Sequence, residues 1–196
     1  KAMINFGSNS VMTMGNAETV TENFLKKFEF IFSFQLYITE FEEAVADIVL
    51  PDACYLERHT PAVSFPSTFS HPQGEDDWGW TIRQPVVPPL FERRDFNEVM
   101  IDICRRLGIL PKYYKGLNDA VPMRYGGPMS EKYKLCEDGS EEHSWPDITD
   151  RLLKDRFGDD NGLEKVSKTG VFTWPKKKED VYWKWFNPVR VPVYFE

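Results

Sequence analysis

Gly7, Ser8, Asn9, Ser10 and Thr13 follow the first strand-like stretch of the chain, Lys1-Ala2-Met3-Ile4-Asn5-Phe6. Glycine lets a backbone approach a ligand closely, and hydroxyl and amide side chains supply hydrogen bonds. The spot also precedes a helical pattern, and a helix N-terminus favours phosphate. The chemistry on offer is binding and orientation of a polar or anionic ligand. An ordinary strand-to-helix turn uses the same residue types for steric reasons, so local grounds leave both readings open.

Other constellations are weaker. The sequence carries no G-x-G-x-x-G, P-loop, G-x-S-x-G or H-E-x-x-H motif, which leaves nicotinamide, flavin, nucleotide-triphosphatase, serine-hydrolase and metalloprotease chemistry without a signature. Glu42-Glu43 and Asp76-Asp77 are adjacent carboxylates. Adjacency turns neighbours to different faces of a helix or strand, so both pairs read as solvated charge. Cys54, Cys104 and Cys136 are far apart and form no C-x-x-C pair, which argues against a disulfide framework, a zinc site or a cluster in this segment. Cys54 and Cys104 sit in apolar patterns and read as core. His59, His71 and His143 lie in polar or Pro-rich stretches without partners at ligand spacing and read as loop histidines.

The bulk numbers narrow the class further. With 41% hydrophobic and 28% charged residues over 196 positions, the composition is that of a soluble globular chain with one sizeable core or two small ones. A net charge of −7 speaks against a nucleic-acid partner, and Lys176-Lys177-Lys178 reads as solvated surface. No apolar run approaches the roughly 20 residues of a membrane span. The chain opens directly on a strand-like segment, with neither initiator Met nor leader, as expected of a piece of a longer protein. The compartment is therefore left undetermined.

The elements that must position the Gly7 loop can be read from periodicity. After the first strand, Asn16 stands as an N-cap for a helix whose apolar positions are Ala17, Val20, Phe24 and Phe28. Residues 29–34, EFIFSF, form an apolar run of strand length, suited to burial on both faces of a parallel sheet. Thr39 and Glu42 have capping-box spacing, and Asp47 to Leu50 read as a third strand ended by Pro51. This β-α-β-α-β order predicts a parallel sheet with crossover helices. The fold class expected is α/β: an open, mainly parallel sheet with helices on both faces, a Rossmann-like αβα sandwich, followed by an irregular and helical C-terminal extension.

Residues 58–80 read as a long connection over the domain, and residues 80–87 as a further strand. Asp95 and Glu98 then open a helix with a Phe96, Val99, Met100, Ile103 and Leu107 stripe, stopped by Gly108. Residues 113–144 read as irregular with one short helix, 147–157 and 163–168 as helices, and 171–195 as an extended segment leaving the domain. The expected division is a core of residues 1–108 and an extension of residues 109–196 that packs on it.

An ordered set of motifs gives a resemblance. Thr39-Glu40, then Ala46-Asp47-Ile48-Val49-Leu50-Pro51 and Glu57-Arg58, resemble the T-E-T-A, A-D-V-V-L-P and E-R run of the molybdopterin oxidoreductases of the dimethyl sulfoxide reductase family. Phe6 to Ser10 resembles that family's G-x-N-P loop. Residues 83–93 and the helix to Arg106-Leu107-Gly108 resemble its P-x-x-x-P-x-G-E-A-R and L-A-x-R-L-G stretch. The order holds across residues 1–108. Ser10 replaces the usual Pro, Phe41 a common Thr and Gln35 a common Asp, and residues 60–80 lack the usual Gly-Arg segment. These departures blur the subfamily and hence the substrate.

The resemblance implies a third-domain fragment of a molybdenum-dependent oxidoreductase catalytic subunit. Its parent would carry molybdenum bound by two molybdopterin guanine dinucleotides, and an iron–sulfur cluster would belong to the parent only. This segment would cradle one dinucleotide with Gly7, Ser8, Asn9, Thr13, Phe34, Gln35, Thr39 and Asp52, and supply no catalytic residue or metal ligand. The isolated chain would be inactive. Its partners would be the remaining domains of the same catalytic polypeptide and, in members that have one, an iron–sulfur electron-transfer subunit. Two alternatives stay open: a stand-alone α/β nucleotide-binding domain, and a molybdopterin enzyme of non-redox hydration or hydroxyl transfer.

Overall fold

The computed structural model describes residues 1–61, 77–119 and 128–175. The chain divides into two compact units, Lys1–Arg58 with Pro85–Met100, and His59–Gln84 with Ile101–Glu196.

The first unit is α/β, as the alternation predicts. Strands β1 (Ala2–Phe6), β2 (Phe30–Gln35) and β3 (Ile48–Pro51) form a parallel sheet in the order β1-β2-β3. Met3 pairs with Ile31 and Asn5 with Ser33, while Ile4 pairs with Phe32 and Phe6 with Phe34. Partners in register share a face. Met3 and Ile31 therefore lie on the side covered by helices α1 (Ser10–Thr13), α2 (Ala17–Asn23) and α3 (Glu40–Val45), in a core with Val11, Leu25 and Phe41. Phe6 and Phe34 lie on the other side, where the Phe96 ring stacks on Phe6 at 4.1 Å and meets Phe34 edge-on at 5.0 Å. Phe96 opens helix α4 (Phe96–Arg106), so helices reach both faces. The amino-terminal half of that second face remains open, with Ile4, Phe30 and Ile48 exposed.

Local sequence accounts for most of these elements. The Asn16 side chain caps α2 by accepting the Thr19 N–H, and Thr39 and Glu42 form the expected reciprocal capping box. The α2 stripe, however, breaks earlier than its periodicity suggests. The helix ends at Asn23, and a 3-10 turn at Leu25–Lys27 rotates the chain so that Leu25 is fully buried while Phe24 is exposed. A 3-10 turn advances the chain faster per residue than an α-helix, which shifts the phase of the buried face by one position. Strand β2 is buried on both faces only in its carboxyl half, since Phe30 is exposed. Helix α4 starts after Asp95, whose carboxylate accepts the Asn97 N–H at 2.8 Å. It ends as expected at Gly108, at φ +67, where Gly108 N donates to Arg105 O and Ile109 N to Cys104 O. Those two bonds are the pairing of a Schellman stop. Leu107 is exposed rather than part of the stripe, and Cys104 is buried.

In the second unit, β4 (Thr60–Pro61), β5 (Asp77–Arg83) and β6 (Val171–Pro175) form an antiparallel sheet. The expected strand at 80–87 is thus displaced to 77–83, and residues 171–175 pair back onto β5 instead of leaving. Pro85 follows closely and has no N–H for the ladder. Residues 62–76, with His71 and Asp76, and residues 176–196 lie outside the described residues.

The helical core of this unit is formed by Ile101, Leu110, Tyr114, Met129, Leu135, Trp145, Ile148 and Leu152. Helix α5 (Leu110–Asp119) stands within the stretch expected to be largely irregular. Its buried residues Leu110, Tyr114 and Asn118 recur every four positions, but the polar Asn118 hides the apolar period. Asn118 is fully buried, donating to Leu135 O at 3.0 Å and accepting from Leu135 N at 2.9 Å. Helix α6 (Trp145–Phe157) begins two residues before the expected start, because Ser144 is its cap and Pro146 fits the first turn. Helix α7 (Leu163–Thr169) follows. His143 is a loop histidine, as expected, and is buried: its backbone N–H donates to the Tyr114 hydroxyl and its Nδ1 lies 2.5 Å from Asp147. Cys104 is buried, whereas Cys54 and Cys136 are partly buried.

Candidate functional site

Parallel strands all point the same way, so the loops at their carboxyl ends gather along one edge, where ligands of open α/β sheets bind. Gly7 leaves β1 at that edge. Its N–H extends the ladder to Phe34 O at 3.1 Å, and at φ +58 the backbone turns out of the sheet. The space beside its Cα is open, so backbone conformation rather than crowding calls for glycine here.

Ser8 is held through its carbonyl, which accepts from the Asn5 side chain at 2.8 Å and the Gln35 side chain at 3.1 Å. Asn9 is held at both ends. Its carbonyl accepts the Met12 and Thr13 N–H groups and the Thr13 hydroxyl, while its Nδ2 donates to Glu40 at 2.7 Å. The remaining Asn9 atom, Oδ1, and the Ser10 hydroxyl oxygen are buried and have no partner among the described residues. A buried polar group without a partner costs about 1–3 kcal/mol, so these two consecutive residues carry the unmet hydrogen-bonding capacity of the β1–α1 junction. Helix α1 is one turn long, and a macrodipole sums aligned peptide units, so the side chains rather than the helix end carry the polarity of this loop.

Beneath the loop lies a polar network centred on Glu42. Glu42, read as solvated, is buried. Its carboxylate accepts from Ser33 Oγ at 2.6 Å, Asn5 Nδ2 at 3.4 Å, Thr39 N at 3.0 Å and the Thr39 hydroxyl at 2.5 Å. Burial pushes the Glu42 carboxyl up, but the hydrogen bonds from Ser33 and Thr39 outweigh it and hold the group below the ordinary carboxylate range. Glu40 is also held low, first by its own backbone N–H and then by the Asn9 amide. Asn5 and Ser33 share the face of Met3 and Ile31, so polar residues at two core positions were the legible sign of this network.

The third strand supplies the far end of the edge. Asp52 N donates to Gln35 O at 3.0 Å. The Asp52 carboxylate is buried, accepts Arg58 Nη1 at 3.0 Å on each oxygen, and takes the Phe96 N–H at 3.2 Å. Burial raises its pKa, against the opposing charge of Arg58. The Arg58 guanidinium lies 5.5 Å from the centre of the Phe6 ring. Glu57, beside it, accepts from Cys54 N, Leu90 N and Arg93 Nη1. The Cys54 N–H is the foremost of the groups that hold its carboxyl low.

Gly7, Ser8, Phe34, Gln35 and Asp52 are therefore joined by hydrogen bonds at the carboxyl edge, and Asn9 follows on the same loop. The side chains of Thr13 and Thr39 are turned to local backbone and capping partners. Phe34 contributes its carbonyl, while its ring is buried under Phe96. Asn5, Glu40, Glu42 and Arg58 support the site and are absent from the set expected from sequence.

Among the described residues, no cluster of three or more His, Cys, Asp or Glu could hold a metal ion, and no helix is long and apolar enough to cross a membrane.

Comparison with known proteins agrees with the motif order. The molybdopterin oxidoreductase family model matches residues 1–106. A sulfite dehydrogenase subunit of Allochromatium vinosum is 41% identical over 64 residues, 33% of this chain. That match covers 6% of the relative's own length. With the family match spanning more than half of the residues, the chain belongs to the molybdopterin oxidoreductase family.

Proposed function

We propose that residues 1–108 are one wall of the cradle for a molybdopterin guanine dinucleotide, in the third domain of a molybdenum-dependent oxidoreductase catalytic subunit. The observation that carries this reading is the pair of buried, unpartnered atoms Asn9 Oδ1 and Ser10 Oγ on the loop after β1. They fit the nucleotide end of such a cofactor, whose base and sugar carry hydrogen-bond donors. Gly7 lets the backbone turn beneath the ligand, and Ser8 and Asn9 present the polar surface. Gln35 and Asp52 brace the loop and the third strand, with Phe34, Thr39 and Thr13 completing the support.

When bound, the cofactor supplies two-electron transfer at molybdenum; the protein supplies binding and orientation. On this reading the segment contributes no group that touches the reacting atoms, so the isolated chain turns over no substrate. Residues 109–196 serve as an extension of the same domain. The open apolar patch of Ile4, Phe30 and Ile48 suits burial by the remaining domains of the parent, since exposed apolar patches mark contact surfaces. The similarity to a sulfite dehydrogenase subunit makes sulfite the first substrate to assay with a full-length parent.

The test of the cradle is calorimetric titration of the chain with guanosine diphosphate, which stands in for the nucleotide end. Saturable binding that is weakened in Asn9→Ala and Ser10→Ala is expected. Absence of saturable binding, or affinity unchanged in both variants, refutes the reading.

A further inference from the structure

We infer that Glu40 sets the hydrogen-bond polarity of the ligand loop, by forcing the Asn9 side chain to present an acceptor and so to select a ligand that offers a donor. This inference rests on the cradle reading and deepens it.

An ionised carboxylate only accepts hydrogen bonds, whereas an amide side chain has one accepting and one donating end. Glu40 lies 2.7 Å from Asn9, so the end of Asn9 that faces it must be the NH2. The opposite end is then Oδ1, and Oδ1 is the atom left buried without a partner among the described residues. An amide orientation is normally assigned from its surroundings; here a single anionic neighbour dictates it. Glu40 is itself placed by the first turn of α3, whose capping box fixes Thr39 and Glu42. It is exposed, so it has no core to support and can be changed without opening a cavity.

The selected chemistry is a ligand N–H or O–H directed at Asn9 Oδ1. Guanine offers such donors on its Watson–Crick edge, at N1 and the 2-amino group, and the ribose offers hydroxyls. Adenine has neither of these base donors and carries its one Watson–Crick-edge donor at the 6-amino group, where guanine has a carbonyl, so an acceptor held opposite N1 and the 2-amino group favours guanine by position. Glu40 acts through Asn9 rather than by touching the ligand, and is a specificity-determining positioning residue.

The test compares affinities of the full chain for guanosine diphosphate, adenosine diphosphate and 2′,3′-dideoxyguanosine diphosphate in wild type, Glu40→Gln and the exchanged pair Asn9→Asp with Glu40→Gln. The glutamine amide introduced by Glu40→Gln can either accept or donate, so the Asn9 side chain is free to reverse. In the exchanged pair, that amide donates to one oxygen of the carboxylate introduced by Asn9→Asp and leaves the other as an acceptor, at unchanged net charge. The wild-type preference is expected to fall about fivefold to tenfold in E40Q, the worth of one hydrogen bond, and to return in the exchanged pair. A changed guanine-to-adenine ratio assigns the donor to the base edge; a changed ratio against the dideoxy compound assigns it to the ribose. Either supports the inference. Wild-type binding with both ratios unmoved in E40Q, or both lost alike and not restored by the exchange, overturns it and leaves the cradle standing. No binding of any nucleotide by wild type overturns the cradle and this inference together.

Discussion

Arg58 places one nitrogen, Nη1, 3.0 Å from each carboxylate oxygen of Asp52, and the two side chains are 17% and 5% exposed. The pair ties the end of β3 to the start of α4, because the same carboxylate accepts the Phe96 N–H. Removing one member of a buried pair leaves an uncompensated charge, at a cost of about 3–5 kcal/mol. Arg58→Met is expected to lose about 3 kcal/mol in urea unfolding, at the lower end of that range because Arg58 keeps some water contact. Without Arg58 the Asp52 pKa rises further above its unfolded value. A raised folded pKa means stability present at low pH and lost as pH rises through it, so the deficit should shrink on acidification. A deficit that does not depend on pH refutes this account of the pair.

Glu42 titrates with the opposite sign. Its folded pKa lies below the ordinary value of 4.5, so its contribution is present above that value and is lost as pH falls through the folded pKa. Glu42→Gln is expected to lower stability by about 1–3 kcal/mol at neutral pH, the worth of hydrogen bonds to a charged group. The gap from wild type should close in acid. Urea midpoints measured across roughly pH 3 to 7, which brackets the ordinary carboxylate pKa, check both statements.

Leu25 and Phe24 test the phase shift at the end of α2. Leu25 is fully buried and Phe24 is about half exposed. Leu25→Ala should cost about 2–5 kcal/mol by cavity formation. Phe24→Ala should cost about 0.5–1.5 kcal/mol, from loss of its edge-on contact with Phe28 at 5.5 Å. Equal losses at the two positions would falsify the 3-10 turn as the cause of the shift.

Asn118 closes two backbone groups of Leu135 inside the second unit. Asn118→Leu roughly keeps the volume but leaves the Leu135 N–H and C=O without partners. Each orphaned group costs about 1–3 kcal/mol, so a loss of roughly 2–6 kcal/mol is expected in thermal or urea unfolding. Tolerance of Leu at this position would show that the network around α5 is dispensable.

Gly7→Ala examines the turn itself. The Cβ would meet nothing within 4 Å, but φ is +58. The left-handed conformation costs about 1–2 kcal/mol for a residue with a Cβ. Gly7→Asn, a residue that tolerates this region, should lose less than Gly7→Ala in the same unfolding measurement.

The family, the α/β alternation, the capping positions Thr39 and Asp95 and the Gly108 stop are legible in the sequence because each depends on neighbours within about four residues or on an ordered motif. Thr39 with Glu42 and the A-D-I-V-L-P run need no tertiary partner to be recognised. The carboxyl-edge placement of Gly7 and Asp52 also follows from strand direction alone. What the tertiary structure decided is which polar atoms are used up and which are left over. Spacing singles out Glu42 as the cap partner of Thr39, but only the folded sheet brings Asn5 and Ser33 from two strands onto the same carboxylate. Asn118 hides a helix because its partners lie 17 residues away, and Leu25 enters the core only because a 3-10 turn rotates the chain. The polarity of Asn9 comes from Glu40, 31 residues distant. Hydrogen-bond satisfaction is set by contacts across sequence distance, which periodicity cannot express, so the loop was readable from the chain but which of its side-chain atoms are paired was not.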